Sequence, residues 1–406
     1  MKNLICAAGV LVFALLAGFT QGDEMKGAAM FKQDVEFLKA HVDVIILSDE
    51  SGKAKVAVIP AYQARIATST ADGNDGLSFG WINRKLIASG KLQPHMNPFG
   101  GEDRFWMGPE GGQYAIFFAP GADFTFNNWQ TPAVIDTEPF DVVSKSPDRI
   151  VFAKHAQLTN YADTKFDIQI SRTISLLPRR KAVALLGVDV PESVKMVAFQ
   201  SDNSITNLGA PWNKQAGLLS IWILGMYNPS PQTTVVIPFK SGPEIEFGPK
   251  VNDAYFGKVP ADRLAVKDDV LFFRADGEKR GKIGINAKRA KPVCGSYDAA
   301  NKVLTIVQYT LPEGATDYVN SMWEHQAKPY TGDVVNSYND GPTEDGTILG
   351  PFYELETSSP AVELETGKSV SHVHRTFHLQ GDEKTLDTIA TAVLSVGIDQ
   401  VKDALK

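Results

Sequence analysis

The chain has 406 residues, of which 43% are hydrophobic and 10% aromatic, enough to bury one large core or two moderate ones. Its formal charge of −7 and the lack of any long Lys/Arg run argue against nucleic acid or an anionic membrane surface as a partner. Two cysteines, Cys6 and Cys294, leave no room for a cysteine-based zinc site.

The first residues, MKNLICAAGVLVFALLAGFTQG, read as a secretory signal. Lys2 supplies the positive start, Leu4 to Phe19 the apolar run, and Thr20-Gln21-Gly22 the junction ahead of Asp23-Glu24. The run is short for a membrane span. Cleavage removes Cys6 and leaves Cys294 unpaired, so stability must come from core size. The expectation is a periplasmic or extracellular protein with no membrane contact after cleavage. Residues 1–22 form the signal and 23–406 a single domain.

Residues 28–41 place Phe31, Val35, Phe37 and Leu38 near helical spacing and predict a short amphipathic helix. Strand-like runs separated by Ser, Gly and Asp turns follow: VDVIILSD, KAKVAVIPAYQARIATSTA, LSFGWINRKLIA, QYAIFFAP, DRIVFAKHAQLTNY, FDIQISRTISLLP and KAVALLGVDVP. TTVVIPFK, DVLFFRADG, KRGKIGIN and KVLTIVQYTLP continue the series. Helix returns at 385–405, where Leu386, Ile389, Ala390, Val393, Val396 and Val401 suit one buried stripe. No repeat or linker divides the chain. These elements predict one all-β antiparallel domain with short helices near both termini, its strands closed or stacked as two sheets.

Four connections have unusual composition. Residues 97–113 (NPFGGEDRFWMGPEGGQ) join a glycine-rich path to Arg104, Trp106 and Glu110, and glycines let backbone approach a ligand. No phosphate-loop spacing is present. Residues 199–217 carry Asn203, Asn207, Trp212 and Lys214, and a third connection carries Asn252, Asp253, Tyr255 and Arg263. The richest, 318–342, holds Asn320, Trp323, Glu324, Tyr330, Asp333, Asn336, Tyr338, Asn339 and Asp340. Aromatics interleaved with amides and carboxylates suit carbohydrate, whose C–H faces stack on rings while polar groups meet its hydroxyls.

The stretch 350–379 reads as two antiparallel neighbouring strands. Glu354 and Glu356, two residues apart, share a face that Phe352 can join, with Tyr353 and Leu355 opposite. His372, His374 and Thr376 share a face of the second run, with Val373, Arg375 and Phe377 opposite. If the polar faces coincide, two carboxylates and two imidazoles meet on one patch. Such a set would suit zinc or manganese, but the reading settles on no metal and no cofactor.

Leu355-Glu356-Thr357, followed by Gly367 and a last strand HVHRTFHL, resembles the end of aldose 1-epimerases (galactose mutarotases). The run Asn203-Ser204-Ile205-Thr206-Asn207-Leu208-Gly209 is similar to that family's N-H-S-Y-F-N-L-x-G, and the loop around Arg104 to the segment whose Arg grips the hexose. More closely, GGEDRFWMGPEGG, YVNSMWE and NSYNDGP followed by GPFYELETSSPA resemble an uncharacterised family of exported bacterial proteins. The mutarotase resemblance implies a large β-supersandwich with a ligand cleft on a concave sheet face, and Glu356 as the base that takes the anomeric proton. One departure stands out: the family's general-acid His corresponds to Asn203, an amide with no proton to give.

The reading therefore makes Glu356, Glu354 and His374 the catalytic candidates. Arg104, Trp106, Glu110, Asn203, Asn207, Trp323, Tyr338, Asn339 and His372 are the candidates for holding a mono- or oligosaccharide. Anomeric isomerisation leads, ahead of lyase or hydrolase chemistry, because carboxylates on one strand rarely straddle a glycosidic bond. A non-catalytic carbohydrate-binding module and a structural envelope protein remain as alternatives.

Overall fold

The computed structural model describes residues 29–343 and 346–406, so the segment read as a signal lies outside the described residues. Helix α1 (Phe31–Lys39) buries Phe31, Asp34 and Leu38 on one side, the 3- and 4-residue spacing of an amphipathic helix. Strands β1 (Ile45–Ser48), β2 (Lys55–Ile59) and β3 (Arg65–Thr70) form a small antiparallel sheet beside it.

After α2 (Arg84–Ser89) come β4 (Arg104–Gly108), β5 (Asp141–Lys145), β6 (Arg149–Thr159), β7 (Lys165–Leu176), α3 (Arg179–Leu186), β8 (Lys195–Asn207), β9 (Ser220–Tyr227) and β10 (Thr233–Pro238). Then follow α4 (Glu244–Phe247), β11 (Leu264–Lys267), β12 (Val270–Arg274), β13 (Gly281–Asn286), β14 (Val293–Asp298), β15 (Val303–Tyr309), β16 (Asp333–Asn339), β17 (Tyr353–Ser358), β18 (Ser369–Gln380), α5 (Glu383–Leu394) and α6 (Ile398–Asp403).

Two large antiparallel sheets result. One has ten strands in the order β11-β12-β10-β14-β15-β18-β8-β7-β6-β5, the other five in the order β13-β16-β17-β9-β4. Their inner faces supply most of the core: Ile150, Phe152, Ile168, Ile170 and Val197 from the larger sheet pack with Phe105, Met107, Ile221 and Ile223 from the smaller. The β5–β7 end of the larger sheet's far face stays exposed or half-exposed, while another part of that face is covered. Phe377, Leu379, Leu304 and Phe272 there pack under Ala182, Leu186, Leu386, Ile389, Leu394 and Val401 of α3, α5 and α6. The expected large antiparallel β architecture is present.

Local departures have local causes. The run 181–191 was expected as a strand, but Pro178 precedes a helix there that ends at Gly187. A short apolar run does not separate the two periods. Within 77–88, the Asn83 side chain accepts the Leu86 amide at 3.0 Å and starts α2 instead of continuing a strand. Residues 113–120 form no strand, although Ala115, Ile116, Phe117 and Phe118 are buried. The terminal helix is broken into α5 and α6, with Ser395 at φ 60° between them. Conversely, much of the connection 199–217 belongs to β8. Its inward residues include Ser201, Asn203 and Asn207, which are buried and hydrogen-bonded, so no apolar alternation marks the strand.

Candidate functional site

The central correction concerns β17 and β18. They are consecutive in sequence but not neighbours: β17 pairs with β16 and β9, β18 with β15 and β8, and they lie in different sheets. The expected meeting of carboxylates and imidazoles on one patch does not occur. Thr357 Oγ1 lies 2.8 Å from His372 Nε2 and 2.9 Å from His374 Nδ1, in the layer between the sheets. Glu354 and Glu356, of opposite parity on the strand, face away from that layer. Asn203 lies in it too, accepting from Arg172 Nη1 at 2.5 Å and donating to the His372 carbonyl at 3.1 Å.

Register assembles the carboxylate face. Directly paired residues of antiparallel strands lie on the same side. Glu356 pairs with Asn336 and Leu224, Leu224 with Arg104, and Trp222 with Trp106. Glu354 pairs with Tyr338, and Tyr338 with Lys282. One face of the five-stranded sheet thus carries two carboxylates, two cations, two tryptophans, an amide and a phenol.

At its centre Glu356 is fully buried. Its Oε2 accepts from Trp222 Nε1 at 3.0 Å and from Lys282 Nζ at 2.9 Å. Its Oε1 has no hydrogen-bond partner among the described residues, and neither do Arg104 Nε and Trp106 Nε1 on the same face. A buried polar atom left unpaired costs about 1–3 kcal/mol, which a ligand supplying the missing partner returns. Glu354 accepts from Arg104 Nη2 at 2.9 Å, and Arg104 lies 4.4 Å from the Trp106 ring centre. Burial outweighs Arg104 and, with the nearby Glu356 charge, pushes the Glu354 carboxyl up to about 7.

Around this centre, Lys282 Nζ sits 4.9 Å from the Trp222 ring and 5.4 Å from the Tyr255 ring. Tyr255 donates to Asp333 Oδ2 at 2.6 Å and accepts from Asn336 Nδ2 at 3.0 Å. Burial raises the Asp333 carboxyl and, with Asp333 beside it, lifts the Tyr255 phenol well above its usual range. On the β4 side Glu110 accepts from Trp323 Nε1 at 3.2 Å. Burial raises its carboxyl as well, against the pull of Lys282.

Of the residues expected at a site, Glu354, Glu356, Arg104, Trp106 and Tyr338 share this face, with Glu110 and Trp323 at its β4 edge. His372, His374 and Asn203 belong to the interlayer. Asn207 and Asn339 are elsewhere: Asn207 Nδ2 ties the Ala210 and Leu364 carbonyls, and Asn339 holds the turn at Gly277 and Lys279. Among the described residues no group of three or more His, Cys, Asp or Glu is placed to hold a metal ion, and no helix is long and apolar enough to cross a membrane. Two members were not singled out from sequence. Trp222 stands in an apolar strand with nothing polar around it, and Lys282 in a plain alternating run. The tryptophan-bearing strand leaves no local signal; a Lys alternating with the buried Ile283 and Ile285 is the faint one.

Over residues 29–405 the chain matches the family described as "Family of unknown function (DUF6786)". Among curated proteins none matches. Similar solved structures include the Slr1438 protein from Synechocystis sp. PCC 6803, at 12% identity and TM-score 0.48, covering 84% of this chain and 96% of that one. A galactose mutarotase-like protein from Lactobacillus casei ATCC 334 is similar at 12% identity and TM-score 0.47, covering 83% and 100%. A galactose mutarotase related enzyme from Lactobacillus acidophilus is similar at 10% identity and TM-score 0.44, covering 84% and 99%. The last two of these are named as galactose mutarotase-like or mutarotase related.

Proposed function

This chain belongs to the DUF6786 family, and we propose that it is an exported carbohydrate-binding protein that interconverts the anomers of a sugar on the outer face of its five-stranded sheet. One observation carries the reading: the buried Glu356 carboxylate, with Oε2 held by Trp222 and Lys282 and Oε1 left without a partner. An unpaired acceptor beside unpaired donors at Arg104 Nε and Trp106 Nε1 is the complement of a polyol, whose hydroxyls both give and accept.

In this reading Glu356 Oε1 takes the proton from the anomeric hydroxyl while a proton reaches the ring oxygen. The C1–O5 bond opens to the aldehyde, rotation about C1–C2 exposes the other face, and the reverse steps close the ring. Asn203 has no proton to give and is engaged in the interlayer. Glu354, whose carboxyl burial raises to about 7, is the acid in this reading. Two residue steps along the strand, about 7 Å, separate it from Glu356.

The test uses protein recovered from the periplasm, whose N-terminal residue this reading puts at Asp23; an intact Met1 overturns the export reading. Polarimetry and NMR exchange on freshly dissolved aldoses should show acceleration that Glu356→Gln reduces by at least a thousandfold. Calorimetric binding that Glu356→Gln weakens, with no acceleration for any aldose, makes the protein a sugar receptor and not an isomerase. Neither binding nor acceleration sinks the site.

A further inference from the structure

In this conformation Glu356 is closed off: its carboxylate is fully buried, and Lys282 beside it is 11% exposed. Chemistry at Oε1 therefore needs part of its cover to move. Two segments border this face. Residues 318–332 are tied down by backbone bonds, Tyr318 N to the Tyr330 carbonyl and Asn320 N to the Pro329 carbonyl. The Gln326 amide adds bonds to the Asn320 and Met322 carbonyls. Residues 253–258, between α4 and β11, are held differently.

Both ends of this second segment are fixed. Asn252 N donates to the Gly284 carbonyl at 2.9 Å and Gly284 N to the Asn252 carbonyl at 2.8 Å, and Val259 is buried in the core with Phe273 and Ile283. Between these points, among the described residues, no backbone hydrogen bond joins 253–258 to either sheet. Ala254, Phe256, Gly257 and Lys258 are exposed, and Gly257 takes φ 88° with open space where a side chain would stand. Missing backbone bonds and high exposure mark a segment that can open without the rest of the fold.

Two neighbouring rings hold it on the sheet. Tyr255 Oη donates to Asp333 Oδ2 at 2.6 Å and accepts from Asn336 Nδ2 at 3.0 Å. Phe256 packs 5.8 Å from the Tyr338 ring and 4.0 Å from the Arg280 guanidinium. Asn336 and Tyr338 are the β16 residues paired directly with Glu356 and Glu354. The segment thus sets one ring against the partner of each glutamate, and Tyr255 also lies 5.4 Å from Lys282 Nζ. Lifting it costs little. Water can take both Tyr255 bonds, Phe256 is already 49% exposed, and Asp333 keeps Asn252 Nδ2 at 2.8 Å.

We propose that residues 253–258 are a lid, hinged at Asn252 and Val259 and latched by Tyr255, whose opening admits the ligand to Glu356. That the ligand is a sugar rests on the carbohydrate reading of this face.

The experiment is reductive methylation of lysines on the full protein, followed by peptide mass spectrometry. Lys282, paired with Glu356, should be methylated far more slowly than the exposed Lys250 just outside the hinge. Its rate should stay constant through sub-denaturing urea, because a local opening exposes little surface. Tyr255→Phe, which loses two hydrogen bonds, should raise the Lys282 rate about tenfold and leave Lys250 unchanged. The double variant Tyr255→Gly/Phe256→Gly should raise it further, with circular dichroism checking that each variant is folded. Lys282 modified as fast as Lys250 in wild type, a wild-type rate that climbs with urea as global unfolding does, or variants without effect overturns the lid. No step of this test uses a sugar. A lid that opens over a protein with no affinity for any aldose removes the carbohydrate reading alone. Aldose interconversion with a freely reactive Lys282 removes the lid alone.

Discussion

At the residue scale, Glu356 shows how a buried charge is made tolerable and left usable. Taking a carboxylate out of water costs several kcal/mol unless charge and hydrogen bonds replace the solvent. Lys282, itself 11% exposed, and Trp222 do so at Oε2 alone. Removing one partner of such a pair strands the other. Lys282→Met should destabilise the fold by about 3 kcal/mol, and adding Glu356→Gln should recover most of that loss. Chemical denaturation of the two single variants and the double closes the cycle. If the losses simply add, the pair is not the unit described here. Trp222 and Lys282 escaped the sequence reading because each serves a residue more than 70 positions away, at Glu356.

At the element scale, β9 sets where β4 and its arginine lie. Gly225 pairs with Leu355 on the inner face of β9. A Cβ at that position would stand 2.4 Å from the Glu102 carbonyl and 2.4 Å from Tyr227 Oη. The segment just before Arg104 therefore rests directly on β9, and the Met226 amide donates to the Gly101 carbonyl at 2.8 Å. Gly225→Ala must push this segment outward, at a cost of about 1–3 kcal/mol, and carry Arg104 away from Glu354. A lower urea midpoint together with weaker sugar binding is the expected pair of results. An unchanged midpoint would show that the segment yields freely. The glycine-rich composition of 97–113 was visible in the sequence, but not that a neighbouring strand needed a glycine to receive it.

At the scale of the whole molecule, the layer between the sheets is unusually polar. Arg172 and Asp103 pair there at 2.6 Å with both side chains fully buried, and His378 meets Glu102 at 2.8 Å. Burial, with His374 beside it, pushes the His372 ring down to about 3, and burial pushes His374 down to about 4. Both are held neutral in the fold, while an unfolded chain protonates them near 6.5. Their contribution to stability is therefore full above pH 6.5 and is lost as pH falls towards 4 and 3. Each ring contributes a slope of about 1.4 kcal/mol per pH unit within that window. Glu354, raised to about 7, acts with the opposite sign, its contribution being lost as pH rises through 7. Denaturation from pH 7.5 to 4 should show a flatter acid limb for the His372→Gln/His374→Gln double variant than for wild type. Parallel limbs would mean that the rings titrate in the folded protein.

The sequence by itself determined the class of this protein: a strand-built chain with helices near both ends, and two glutamates on one face of β17. Alternation is a property of the strand's own backbone, so it can be read without knowing the neighbours. Pairing is not local. Nothing in residues 350–379 says that β17 and β18 part into separate sheets, sending Glu356 outward and His372 inward from either side of Thr357. Only the folded chain decides that, because each strand takes the partner that buries its faces best, and the partners of Glu356 come from β9 and β13.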